Sequence, residues 1–477
     1  MPTIGVLAAG VLGVFALSMM LPLLVALLEG NFAALEALFL IALGYGFLSV
    51  TAILALSPRA RPLNRAGVFT AAIVVWLSLI VAAMPVFMLV EGQGPIEALF
   101  EASSAAVTLG TTLVPPAEIA PSMAFYRGTT AWIGGLMTLA LAVYVLGPYQ
   151  VGGMPNTNLR RVQHAQTEDD PRILTTLRAI AAPYLGLTVL CAVLLIVMRV
   201  PADTAVITAM SMISTNGFVP GAAEGTVLAN PAAELVMLVF MVLGATSIVW
   251  HKLVLARDRT QSRESAEGRL YLTALGVLIA LAIAAAIFGP RNDHGLADTA
   301  FRYVFDIVSI ATTTGISHDR SLGLSIPFEV ILIVVFIGGC SYSTAGGIKA
   351  YSLLTMLRHV GNELERLVYP NAMLRDDVQY DEEQRAIAKA VWSAFFLAVL
   401  TLTIAIQIFA AQGYELPAAM ALATGAFSQV GNVLVSAAPD LADGGVSSST
   451  LLTIAILGAV ARIEILVLLA ALAGNRW

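Results

Sequence analysis

The chain has 477 residues, 58% of them hydrophobic and 12% charged, with a formal net charge of −6. Soluble domains carry about 25% charged residues, so this much apolar surface cannot be hidden in a water-soluble core and belongs in a bilayer. Cys191 and Cys340 fall in apolar segments without metal-ligand spacing, and none of the five histidines sits in an HExxH or nucleophile-elbow pattern, so the sequence offers an enzyme no catalytic set.

Two apolar runs, 4–28 and 32–56, open the chain as a hairpin. The first lacks a basic flank and exceeds the apolar core of a signal peptide, so it reads as a retained helix. These runs, like 69–90 and 271–288 further on, approach the roughly 20 residues that a spanning helix needs. After the hairpin one pattern occurs four times: a span, a short amphipathic run, a turn containing glycine, and a second span. The expected architecture is an all-α integral membrane protein, a two-helix hairpin over 1–66 and pore repeats over 67–155, 172–258, 268–360 and 385–477.

The short runs are 95–107, 202–213, 297–311 and 417–427. Each is too short to cross the roughly 30 Å hydrocarbon layer, which predicts re-entrant helices that enter and return on one side. An acid stands at or near the start of each, Glu97, Asp203, Asp298 and Glu415, where a carboxylate suits a helix N-terminus. The closing turns carry Gly110, Gly217, Gly315 and Gly431, spaced 107, 98 and 116 residues apart.

Counting Lys and Arg by loop puts nineteen of the 25 on one side of this topology, five on the other (Arg127, Arg199, Arg291, Arg302 and Arg320), and Arg462 inside a span. The richer side is expected to be cytoplasmic, with both termini inside and the four turns opening from outside. That outer face also carries acids, among them Glu91, Glu97, Glu101, Asp203, Asp298, Asp306, Asp319 and Asp440, an acidic mouth that would concentrate cations.

A short helix ending in mid-membrane turns its carbonyl end, a partial negative charge, toward the pore axis. The residues that follow can aim backbone carbonyls inward in place of an ion's hydration shell, with glycine permitting the turn. Candidate ion ligands are therefore Thr108, Leu109, Gly110 and Thr111; Thr215, Asn216, Gly217 and Phe218; Thr313, Thr314, Gly315 and Ile316; and Gln429, Val430, Gly431 and Asn432. Neutral oxygens without a carboxylate suit a monovalent alkali ion better than calcium.

The stretch from Asp306 to Gly315, Asp-Ile-Val-Ser-Ile-Ala-Thr-Thr-Thr-Gly, with Gly338 to Lys349, Gly-Gly-Cys-Ser-Tyr-Ser-Thr-Ala-Gly-Gly-Ile-Lys, resembles the signature of the Trk/Ktr/HKT potassium transporter superfamily. Trp132-Ile-Gly-Gly135, Gly152-Gly-Met154, Pro171-Arg172, Arg462-Ile-Glu464 and the additional N-terminal hairpin are similar to its TrkH branch. The resemblance implies a pseudo-fourfold pore, a homodimer in a bacterial inner membrane, and a cytosolic TrkA-type regulatory ring that carries the nucleotide, NAD or ATP/ADP. It implies potassium as the substrate and no cofactor on this chain. Glycine in all four turns goes with potassium in that superfamily. Leu109, Asn216 and the fourth turn, Ser428-Gln-Val-Gly-Asn432, depart from its usual residues and leave a sodium-permeable or weakly selective transporter as the alternative.

Glycines and small polar residues from Gly338 to Gly347 interrupt the second span of the third repeat. The resemblance makes this an intramembrane gate loop, Ser341, Ser343, Thr344, Ala345, Gly346 and Gly347; the residues alone also allow close helix packing. A charge in mid-span, such as Arg462, costs several kcal/mol unless it meets water or a partner. It is expected to face the pore as part of the barrier, with an ion pair to Glu464 as the other possibility. Arg160, Arg161, Arg172, Arg257, Arg259 and Arg263 read as topology signals, some of which could dock the regulatory ring, and His251-Lys252 is a further candidate contact. Four turns of one orientation fit poorly with a two-half inverted secondary transporter, and no span carries the spaced arginines of a voltage sensor.

Overall fold

A computed structural model describes residues 2–155, 172–221, 228, 230–251, 262–288, 295–317, 328–368 and 378–473, and its regular structure is helical apart from one isolated bridge between Ile337 and Ile348. Among the described residues seven helices are long and apolar enough to cross a membrane, and the pair Ser448–Ile463 and Ile465–Leu472, bent by 84°, passes the same test only when taken together. The inner-side basics Arg160, Arg161, Lys252, Arg257 and Arg259, and the outer Asp319, lie outside the described residues.

The hairpin consists of α1 (Pro2–Ser18), α2 (Met20–Glu29) and α3 (Phe32–Leu56). Gly30 ends α2 in the left-handed conformation at φ 70, and the Asn31 side chain starts α3 by accepting from Ala34 N at 3.1 Å. Helix α1 packs against α3 and against the first repeat, while Phe39, Phe47 and Leu54 leave the outer side of α3 apolar and exposed, as a lipid-facing surface requires.

Each repeat then supplies three pieces. Repeat one has α4 (Arg65–Val90), the pore helix α5 (Pro95–Ala106) and α6 (Pro121–Leu141). Repeat two has α7 (Arg172–Val197), α8 (Ala202–Ser214) and α9 (Pro231–Ala245). Repeat three has α10 (Ser262–Phe288), α11 (Leu296–Ala311) and α12 (Phe328–Phe336), with α13 (Ala350–Val368) beyond the interruption. Repeat four has α14 (Val378–Ala411), α15 (Leu416–Ser428), the short α16 (Gly431–Ala437), then α17 (Ser448–Ile463) and α18 (Ile465–Ala473).

Every pore helix packs against both flanking helices of its own repeat and against the second helix of the repeat before it: α8 on α6, α11 on α9, α15 on α12 and α5 on α17. The last pairing closes the circle, so four repeats in sequence become a pseudo-fourfold ring. All four short runs expected to be re-entrant are therefore pore helices at the centre of the ring.

The second helices hold a difference from the sequence reading, which interrupted only the third. In the structure α6 runs into a π-turn at Ala142–Leu146, α9 stops at Ala245, α12 stops at Phe336, and α17 bends at Glu464, whose φ is 73. Gly147-Pro148 follows the π-turn of α6, but no proline marks the end of α9 or the bend of α17. What ends α9 is tertiary: Cys340 N donates to Ala245 O at 2.9 Å and Ile248 N to Tyr342 O at 3.0 Å, so loop backbone replaces the next helical turn.

Candidate ion filter and the loop beneath it

All four pore helices end with the same capping geometry. Thr108, Thr215, Thr313 and Gln429 take the left-handed conformation, with φ of 63, 53, 57 and 56. The next residue donates back to the last turn: Leu109 N to Ser104 O at 2.8 Å, Asn216 N to Ser211 O, Thr314 N to Ser309 O and Val430 N to Gly425 O, each of these three at 2.9 Å. This is the Schellman cap, which normally places glycine where three threonines and a glutamine stand here. A non-glycine residue there costs on the order of 1 kcal/mol or more, and four such residues at one ring mark a strained, built feature.

Beyond the cap the chain turns at Gly110, Gly217 and Gly315, with φ of 78, 73 and 77. Gly431 differs from its three counterparts: it has no positive φ and opens α16. Space also favours glycine, because the neighbouring repeat occupies the place of a side chain at Gly110, Gly217 and Gly431 and crowds it at Gly315. A Cβ on Gly110 would fall on Asn216 O, one on Gly217 on Thr314 O, and one on Gly431 on Leu109 O and Thr111 Oγ1. A Cβ on Gly315 would stand 3.2 Å from Val430 Cγ1 and 3.3 Å from Gly431 N. The order is one to two, two to three, three to four and four back to one, so the four turns gather about a common axis.

Within the ring the candidate residues differ in what they can offer. Thr108, Leu109, Thr215, Asn216, Thr313, Thr314 and Val430 are almost fully buried, whereas Gly110, Gly217 and Gly315 are partly open. The Thr111 carbonyl accepts from Ser104 Oγ, while the Thr111 hydroxyl and Asn216 Oδ1 are buried without a partner among the described residues. Thr314 Oγ1 is shared with Thr312 Oγ1 at 2.9 Å, and Ile316 N is held by Ser309 Oγ at 2.6 Å. Unpaired oxygens beside a ring of turns whose helix C-termini converge make an environment that favours a dehydrated cation.

Directly below, the segment between α12 and α13 folds as an irregular loop packed against repeats two, three and four. Gly346 N donates to Thr313 Oγ1 at 2.8 Å. Thr344 Oγ1 lies 3.4 Å from Thr215 Oγ1 and donates to Ile213 O at 2.9 Å. A Cβ on Gly346 would fall on Ser428 O and Gln429 Oε1. The fourth position belongs to Arg462, 5% exposed, whose Nη2 donates to Thr108 Oγ1 at 2.5 Å. The left-handed residue of each repeat is thus met from below by the loop or by the arginine. Gly346, Gly347, Gln429, Arg462 and Glu464 line a cavity of about 80 Å³ beneath the ring.

Residues 44–288 and 293–473 match the TrkH family, described as a cation transport protein. The chain belongs to the TrkH family. It is 28% identical over 466 residues to the Trk system potassium uptake protein TrkH of Halomonas elongata, covering 94% of each chain. It is 28% identical over 326 residues to the protein of that name from Escherichia coli K12, covering 67% of each. The crystal structure of the potassium transporter TrkH from Vibrio parahaemolyticus matches with a TM-score of 0.86 at 25% identity, over 100% of this chain and 99% of that one. The family is one of transporters and not of enzymes.

In this TrkH-family chain the loop has an anchor that sequence reasoning missed. Glu267, near the start of α10 and 2% exposed, accepts from Ser341 N at 2.5 Å and from Tyr351 N at 3.1 Å, holding both sides of the loop with one carboxylate oxygen. An acid at the inner end of an apolar span was the available signal. Lys349, counted among the inner-side basics, instead turns back to Ala345 O at 2.5 Å and lies within electrostatic reach of Arg462, Glu464 and Glu267. The acidic mouth also needs correction: Glu91 and Glu101 are not free at the surface but are paired with the buried Arg127, and Asp298 pairs with Arg302 at 2.9 Å. No Arg462–Glu464 ion pair is found among the described residues, although both residues line the cavity beneath the ring.

Proposed function

We propose that this chain takes up potassium through a single pore at the centre of the four-repeat ring. Curated relatives from several bacteria are named as potassium uptake proteins, and the chain matches one of them over nearly its full length. The observation that carries the reading is the closed cycle of turns, in which the glycine of each repeat faces the backbone of its neighbour or, for the third, also a neighbouring side chain. Backbone carbonyls of the residues around Gly110, Gly217, Gly315 and Gly431 replace water around the ion, and the four pore-helix C-termini stabilise its charge.

In this reading Ser341 through Gly347 and Arg462 form the barrier of a closed state, since they occupy the space immediately below the four left-handed residues. The pore repeats correspond to 67–155, 172–258, 268–360 and 385–477, with 1–66 as a peripheral hairpin. The excess of basic residues on one side supports an orientation with that side and both termini in the cytoplasm, and the membrane of this reading is a bacterial inner membrane. Assembly as a homodimer and control by a cytosolic TrkA-type ring carrying NAD or ATP/ADP complete the proposal; the Trk system names of the relatives are its support.

Growth of a potassium-uptake-deficient bacterium at low potassium tests the function directly. The parent chain restores growth, and Gly315→Ser restores it with poor discrimination against sodium. Rescue by the parent that sodium abolishes equally in both would favour a weakly selective cation transporter. Absence of rescue despite membrane expression, with and without a TrkA-type partner, refutes the proposal.

A further inference from the structure

We infer that Arg127, Glu91 and Glu101 set the position of the first filter strand and act as specificity-determining residues, an inference that rests on the filter reading above. Arg127 lies on α6 and is 3% exposed; Glu101 lies on the pore helix α5 and is 1% exposed. The guanidinium forks onto Glu91 through Nη1 to Oε1 at 2.5 Å and Nη2 to Oε2 at 2.8 Å, and its Nε reaches Glu101 Oε2 at 3.2 Å. The Phe87 ring covers the guanidinium, its centre 4.9 Å from the central carbon. The second oxygen of Glu101 points the other way, accepting from Leu113 N at 2.7 Å and from Thr112 Oγ1 at 2.8 Å.

One carboxylate therefore connects a buried cation to the two residues that follow Thr111. The strand from Thr108 to Leu113 is pinned at its inner end by the Schellman cap, in the middle by Ser104 Oγ on Thr111 O, and at its outer end by Glu101. Gly110 lies between these pins. Burying three charges is a poor way to gain stability, because desolvation takes back most of the attraction and apolar packing does the same work. What the charged link supplies is direction: short, charge-assisted bonds hold the strand in one geometry, and with it the carbonyls that would face an ion. The device is not uniform around the ring. The position seven residues before the left-handed residue holds Glu101 in repeat one and Asp306 in repeat three, but Thr208 and Leu422 in repeats two and four.

The test uses the full chain in proteoliposomes, measuring potassium and sodium uptake from the same preparation. Glu101→Gln keeps an acceptor for Leu113 N and removes the charge that Arg127 and Thr112 address. The expected result is a potassium-to-sodium ratio lowered by roughly tenfold, the factor associated with losing one charge-assisted hydrogen bond, with Arg127→Lys, which cannot fork, falling between. A parent-like ratio accompanied only by a lower melting temperature or yield makes the cluster a structural brace and overturns the inference. If Glu101→Gln does not reach the membrane, Thr112→Val removes one bond of the link, and the ratio decides in the same way. Gly110→Ser is measured alongside: if it lowers the ratio while the cluster variants do not, the cluster inference alone fails, and if it too leaves the ratio intact, the filter reading fails with it.

Discussion

Replacing Arg462 with glutamine removes one charge from beneath the filter ring. The shorter Gln also gives up the contact that Arg462 Nη2 makes with Thr108 Oγ1 at 2.5 Å, so the charge and one hydrogen bond are lost together. An ion held by the carbonyls of the innermost filter row would lie roughly 6 Å from the guanidinium, where two unit charges repel by ~3 kcal/mol at an effective dielectric of ~20. Glu464 in the same cavity reduces this repulsion and Lys349 adds to it, so the net barrier lowering is about 1.5 to 3 kcal/mol, or roughly 10- to 100-fold in rate. Rubidium-tracer uptake into proteoliposomes at zero potential is the assay, with a sodium arm to confirm that discrimination is kept. Among the described residues Arg462 Nε has no partner, so removing the charge should leave thermal stability equal or higher. Flux within twofold of the parent, in a variant that melts normally, would refute the placement of this charge on the ion path.

Glu267→Ala leaves the amides of Ser341 and Tyr351 without their buried acceptor, at about 1–3 kcal/mol each, and should raise partner-independent flux severalfold; Glu267→Gln retains the acceptor and should stay near the parent in the same assay. Gly346→Ala drives a methyl group into Ser428 O and Gln429 Oε1, so the loop must withdraw from the fourth repeat; leak should rise in vesicles, and an unchanged leak would show that the loop is not what blocks the pathway. Gly110→Ser should damage potassium selectivity more than Gly315→Ser, because its Cβ falls on a carbonyl oxygen whereas that of residue 315 meets the movable Val430 side chain at 3.2 Å; competition of sodium with rubidium uptake ranks the two.

The parts of this protein that the sequence made legible are those fixed by local chemistry. The sequence predicts pore helices over 95–107, 202–213, 297–311 and 417–427, and they form as Pro95–Ala106, Ala202–Ser214, Leu296–Ala311 and Leu416–Ser428, because each is bounded by Pro or Gly at its start and by a glycine turn at its end. The loop at 338–347 was legible for the same reason, since four glycines in ten residues cannot continue a helix comfortably. Features decided by residues distant in sequence stayed hidden. Arg127 and its two acids are separated by 26 and 36 positions, so a reading by loops scored them as opposing surface charges when the fold buries them together. The end of α9 is set by backbone donors from a loop nearly a hundred residues later, and nothing in Leu243-Gly-Ala-Thr246 announces it. The fourth turn lies between the two cases: its departure to Gln-Val-Gly-Asn was visible, but that Gln429 would adopt the same left-handed cap as three threonines, leaving Gly431 free to begin a helix, follows only from the ring that the other repeats impose on it. Three quarters of the ring are built by near-identical turns and the fourth by a different one, so the third-to-fourth junction, where Gly315 faces a side chain and two backbone amides instead of a carbonyl oxygen, is the least tightly filled of the four.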